Sequence, residues 1–145
     1  MSAVDLKTSS QQEEPMRTFV TDGEGLPNWS SPISHAVVVD NICYLSDQLS
    51  VDESGKYVPG TIEEEAKRAF GNLFAALKAA GFSIEDMTFV DIAFLDLADV
   101  DEVNKLYVNL FPESRRPART IYQAAALPLG GRVKVMGVAI RENVG

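Results

Sequence analysis

The stretch TIEEEAKRAFGNLFAALKAAG, residues 61–81, constrains the fold more than any other part of the chain. Thr61 followed by Glu64 forms a capping box, in which a hydroxyl and a carboxylate satisfy the exposed backbone donors of a helix start. Ile62, Ala66, Ala69, Phe70, Leu73, Leu77 and Ala80 then fall on one face at helical spacing. Gly81 can take the left-handed conformation that ends a helix. A helix with one apolar stripe needs a second layer to bury it.

The surrounding sequence says what that layer is. HAVVVD and ICYLSDQLS flank the turn-forming pair Asp40-Asn41 and predict an antiparallel hairpin, with MRTFV as a short strand before it. MTFVDIAFLDL predicts a buried strand. VDEVNKLYVNLF predicts a second helix, capped by Asp99, with Val103, Leu106, Tyr107 and Leu110 inward. ARTIYQAAAL and RVKVMGVAI predict two last strands, and the PLGG between them reads as a hairpin turn too short to be a phosphate loop. GEGLPNWSSP and VDESGKYVPG are loops by composition. The order β, β, β, α, β, α, β, β describes an α+β domain, one sheet with two helices on a single face. VKVMGVAI is apolar at nearly every position, which predicts burial on both faces. Two helices on one side cannot supply that, so homo-oligomerisation is expected.

Residues 1–16, rich in Ser, Gln and Glu and without periodicity, read as a flexible tail ahead of a single domain, 17–145. At 145 residues and 46% hydrophobic side chains the chain can bury one sizeable core. One cysteine, Cys43, forms no intrachain disulfide and suits a cytoplasmic location; one histidine and one cysteine make a metal site unexpected. The start lacks the basic-then-apolar pattern of a secretory signal, and no apolar run is long enough to span a bilayer. A formal net charge of -8 argues against nucleic acid as a partner. That charge is uneven. Residues 115–145 carry six basic side chains against the single acid Glu142, a local patch suited either to solvent or to a small anion. Cys43 reads as buried and inert, His35 as lacking a Ser or Cys partner, and Trp29 as either core cover or cleft lining.

The run RPART, an apolar strand, LP and a last strand ending VAI resemble the signature of the RidA/YjgF-like reactive intermediate (imine/enamine) deaminases, often labelled endoribonuclease L-PSP. YLSDQLSVD is similar to that family's SGQ strand, AFGNLFAALKAAGFSIEDM to its first helix and turn, and VNKLYVNLFP to its Asn-x-x-Tyr helix. The resemblance covers about residues 32–141. It implies a chorismate-mutase-like fold, a homotrimer with a ligand cleft between subunits, no cofactor, and hydrolysis of enamines or imines such as 2-aminoacrylate to a 2-keto acid and ammonia. Arg119 stands where the family binds the substrate carboxylate, a role suited to a guanidinium that is always charged and matches a carboxylate with two parallel bonds. A structural arginine tying down the loop is the alternative. Arg115 and Arg116 read as solvated.

The departures from the pattern bear on activity. Lys134 stands where deaminating members keep a water-activating glutamate, Ile121 where a cysteine is often found, Ile33 at the tyrosine of GPY, and Asp47 at the glycine of SGQ. A protonated lysine has no acceptor with which to polarise water. Lys134 extends from a strand end into solvent, pairs with a carboxylate such as Asp47, or joins Arg119 in binding a ligand with two anionic groups. Asp47, beside the cleft residue Ser46, is the candidate general base in place of the glutamate. Asn72, Asn104 and Tyr107 read as supports for packing and loop geometry. Two functions follow: an imine or enamine deaminase anchored on Arg119, or a non-catalytic trimer that binds a small carboxylate metabolite. Ribonuclease activity ranks last.

Overall fold

Six strands and two helices form from these patterns in a computed structural model that describes residues 16–142. The expected tail, Met16 apart, and residues 143–145 lie outside the described residues. The strands are β1 (Arg17–Val20), β2 (Ala36–Val39), β3 (Ile42–Gln48), β4 (Met87–Phe94), β5 (Ala118–Gln123) and β6 (Val133–Ile140). The helices are α1 (Ile62–Ala79) and α2 (Val100–Leu110). All six strands join one mixed sheet in the order β1-β2-β3-β6-β4-β5, with β4 and β5 parallel and every other pair antiparallel.

Local chemistry sets the element ends. Thr61 accepts from the Glu64 N–H at 3.1 Å while the Glu64 carboxylate accepts from the Thr61 N–H at 2.9 Å, completing the capping box. Gly81, at φ 85°, stops α1. Asp40 turns the β2–β3 hairpin at φ 54°. Asp99 does not cap α2. It already has helical backbone angles, and Asp96, one short 3-10 turn earlier, accepts from the Ala98 N–H at 2.9 Å.

Sheet order corrects a second expectation. PLGG is not a hairpin turn, because β5 pairs only with β4 and β6 lies between β3 and β4. Leu129 and Gly130, both at positive φ, carry the chain across the end of β4 instead. As an edge strand β5 is exposed along most of its length, with Ile121 at 39% and Tyr122 at 43%, where its apolar sequence suggests burial. The insertion of β6 follows from its composition, since a strand with Val133, Val135 and Ala139 wholly buried belongs at the centre of a sheet. Its other face is only half-covered within one chain, which leaves it as the surface for which oligomerisation is expected.

Both helices pack on the same side. Phe70, Leu73 and Leu77 of α1, Val103 and Tyr107 of α2, and Phe111 cover Val90, Ile92, Phe94, Val133 and Val135. Phe70, Tyr107 and Phe111 form an aromatic cluster with ring centroids 4.8 to 6.5 Å apart. Glu65, which sequence reasoning did not single out, is buried on the same helix. It accepts from the Tyr57 hydroxyl at 2.8 Å and from the Arg132 backbone N–H at 3.2 Å. Burial and this carboxylate push the Tyr57 phenol up to about 12. The loop before α1 is thereby tied to the start of β6.

Candidate functional site

Arg119 sits at the outer end of a row of core residues. The register aligns Val20, Ala36, Leu45, Gly137, Val90 and Arg119, one from each strand, on the helix side of the sheet. Strand pairing thus delivers the guanidinium to α2. There Nη1 donates to Asn104 Oδ1 at 2.7 Å, and the guanidinium carbon lies 4.7 Å from the Tyr107 ring centroid. Asn104 and Tyr107 are three residues apart and so present neighbouring positions on one helix face. They hold Arg119 rather than merely packing the core. Asn72 does serve loop geometry, its amide donating to the Leu49 and Val51 carbonyls at 3.1 and 3.0 Å.

Asn104, Tyr107, Val108, Arg116, Pro117 and Arg119 line a cavity of about 370 Å³. Among the described residues no carboxylate pairs with Arg119. The Tyr107 hydroxyl is buried without a hydrogen-bond partner among them. Burial raises its pKa and the nearby Arg119 and Arg116 charges oppose that rise, so it stays a neutral donor. A half-buried cation beside a spare donor is a site for an anion.

Lys134 lies on the opposite face. It is aligned with Ala93 of β4, which in turn faces Tyr122 of β5. A register shift between Leu45 and Gln48 marks a bulge that releases Ser46 and Asp47 from the ladder. Asp47 Oδ2 accepts from Lys134 Nζ at 3.0 Å. Burial works against the lysine charge, but the hydrogen bond and charge of Asp47 outweigh it and raise the Lys134 pKa. Ser46 is occupied, donating to the Ser34 carbonyl at 2.6 Å.

Trp29, Ser31, Ile33, Asp47, Leu49 and Pro128 line a small cavity of about 90 Å³ in this corner. Trp29 therefore serves both roles considered for it, since it also packs on the buried Leu49, Val51, Ala93 and Leu127. His35 is buried between the Gln48 amide, 3.0 Å from Nδ1, and the Pro27 carbonyl, 2.9 Å from Nε2. Burial lowers its pKa, against the Pro27 bond. Cys43 is fully buried, and desolvation pushes its thiol up to about 11 despite the Arg141 charge.

Ile33, Ser46, Asp47 and Lys134 thus cluster, while Arg119 and Ile121 belong to the helix side of β5. One chain alone does not bring the two groups together. Sequence reasoning missed the hold of Asn104 and Tyr107 on Arg119, for which the Asn-x-x-Tyr spacing was the available signal. Arg116 is exposed, as the sequence reading has it, and also lines the Arg119 cavity. Among the described residues no group of three His, Cys, Asp or Glu side chains could hold a metal ion, and no helix is long and apolar enough to cross a membrane.

Residues 26–141 match the family model described as Endoribonuclease L-PSP. The chain is 43% identical over 111 residues to the 2-iminobutanoate/2-iminopropanoate deaminase of Bos taurus, covering 76% of this chain and 80% of the relative. It is 40% identical over 116 residues to the human protein of that name, covering 79% and 84%. The crystal structure of RidA from an Antarctic Psychrobacter superposes with a TM-score of 0.79 at 31% identity, over 86% of this chain and all of that one.

Proposed function

The chain belongs to the Endoribonuclease L-PSP family, the RidA/YjgF group whose members support a reactive intermediate deaminase role, and from that premise we propose that it binds a 2-imino acid or its enamine through Arg119. The observation that carries the proposal is the half-buried guanidinium of Arg119, fixed by Asn104 and Tyr107 and matched by no carboxylate among the described residues. An imino acid brings that carboxylate with it. A planar guanidinium can hold it by two parallel bonds.

Completion of the site calls for more than one copy. The exposed edge of β5 and the half-covered face of β6 support a homotrimer in which the Arg119 corner of one subunit meets the Lys134–Asp47 corner of the next. There Asp47 takes the place of the missing glutamate. Its Oδ2 is held by Lys134, leaving Oδ1 to accept from a water. Attack of that water on the imine carbon, with proton transfer to nitrogen, gives a tetrahedral carbinolamine. Its collapse releases ammonia and leaves the 2-keto acid.

Freshly generated 2-iminopropanoate and 2-iminobutanoate, followed by keto acid release, test this directly. The expected outcome is a rate above the uncatalysed one that Arg119→Ala removes and Asp47→Asn lowers by on the order of 100-fold, within the range of general acid–base catalysis. Sedimentation should show three chains. The engagement of Asp47 by the Lys134 ammonium favours a second reading, a non-catalytic carboxylate binder. No rate above background, with keto acid binding that still depends on Arg119, would decide for it.

A further inference from the structure

We infer that the Arg119 cavity takes a ligand with two carboxylates, a short 2-imino or 2-oxo diacid, and that Arg116 holds the second of them. The inference rests on the proposed role of Arg119 as a carboxylate anchor and adds the class of ligand to it. Two cations could accompany Arg119. Lys134, whether of the same chain or brought by a neighbouring subunit, is already paired with Asp47, whereas Arg116 lines the same cavity as Arg119.

The chain has acids to spare, 21 Asp and Glu against 13 Lys and Arg. Lys105, Arg115, Arg132 and Lys134 are each within 3.4 Å of a carboxylate; Arg116 and Arg119, like Arg17, Lys56, Lys67, Arg68, Lys78 and Arg141, are in no such pair among the described residues. Their cavity has two guanidiniums and no acidic side chain in its lining, while the groove at Lys67 and Arg68 includes Glu64. Two like charges sharing a cavity repel until an anion neutralises them, and a monoanion neutralises only one.

The hydrogen bonds agree. Arg116 Nε donates to the Phe111 carbonyl at 3.3 Å, which anchors the side chain between this cavity and the neighbouring groove that contains Glu85, Asp86 and Glu142. Arg119 is anchored likewise through Nη1. Tyr107, only 5% exposed, lines the cavity, and its hydroxyl is buried without a partner among the described residues. The Arg119 guanidinium carbon lies 4.7 Å from the same ring, and Arg116 lines the cavity beside it. A buried donor without an acceptor is costly, and a ligand oxygen would supply one.

Chain geometry has room for a diacid. Arg116 and Arg119 are three residues apart through Pro117, a span of at most about 10 Å of extended backbone. Two guanidinium forks reaching in from such a span suit two carboxylates on a four- or five-carbon skeleton. A phosphate would draw both to one point.

Titration calorimetry of the full chain with pyruvate, 2-oxoglutarate and inorganic phosphate tests the inference. Wild type should bind 2-oxoglutarate about tenfold or more tighter than pyruvate, the increment of one charge-assisted hydrogen-bonded contact. Arg116→Gln should bring that ratio to about one, Arg116→Lys should keep part of it, and Arg119→Ala should lose both keto acids. A preference that survives Arg116→Gln, the absence of any preference in wild type, or phosphate binding as tight as 2-oxoglutarate would each overturn the diacid assignment while leaving the anchor standing. Failure of wild type to bind either keto acid would overturn the anchor as well.

Discussion

Two rows of side chains cross the sheet side by side and meet opposite fates. On the helix side run Val20, Ala36, Leu45, Gly137, Val90 and Arg119; on the other run Phe19, Val37, Tyr44, Val138, Phe89 and Ala118. The second row is the bulkier in apolar groups, yet Phe19 is 60% exposed and Tyr44 52%, while Val90 is fully buried. Burial follows the layer laid over a row, not its hydrophobicity alone. The two cations show the same contrast. Arg119 closes the covered row, where α2 holds it by an amide and a ring without neutralising it. Lys134, on the uncovered face, takes a carboxylate from its own chain. One corner carries an unpaired charge among the described residues and the other is balanced.

Paired substitutions would break or sharpen that contrast. Phe70→Ala, in the covered layer, should cost about 3–5 kcal/mol in urea unfolding, whereas Phe19→Ala should cost about 0.5 kcal/mol or less. Similar losses at both positions would mean that the subunit contact proposed for the β6 face reaches across the sheet to β1.

A smaller effect is expected at the balanced corner. Lys134→Met and Asp47→Asn should each cost about 0.5–1 kcal/mol, because the side chains are 21% and 37% exposed and solvent screens the pair. A double-mutant cycle should return a coupling of that size, and none would leave the pair without energetic weight. The raised Lys134 pKa means that this contribution is fully present below the ordinary lysine value of 10.5 and fades as pH rises beyond it.

The smallest effect belongs to His35. Its pKa is lowered by burial, so the unfolded chain takes up a proton near the ordinary value of 6.5 while the folded chain does not until lower pH. Stability should be level above that value and decline as pH falls below it. His35→Asn should flatten the decline in a series of melting curves from pH 8 to 5; an unchanged slope would assign the acid sensitivity to carboxylates.

What was legible in the residues was whatever depends on near neighbours. Helix α1 follows from a three-residue cap, a repeating stripe and one glycine. The β2–β3 hairpin follows from Asp40-Asn41 between two β-rich runs. Arg119 stood out because RPART precedes a strand in a recognisable series of motifs. The misreadings share a different cause. PLGG looked like a hairpin because β5 and β6 are consecutive, but sequence adjacency does not determine which strands pair. Asp99 looked like a cap because the 3-10 turn that moves the cap back to Asp96 carries no separate signal.

The amino-acid sequence by itself determined the elements, their order and the family motif that singles out Arg119, since capping, periodicity and motif spacing act over a few bonds. Only the tertiary structure decided that β6 enters the middle of the sheet, that a bulge sets Asp47 against Lys134, and that Arg116 shares a cavity with Arg119. Gly137 shows the physical reason. A Cβ there would lie 2.5 Å from the Phe89 carbonyl oxygen, a contact between strands that are distant in sequence. Such constraints exist only once the sheet has closed, because they depend on which backbones approach and not on what any segment prefers alone.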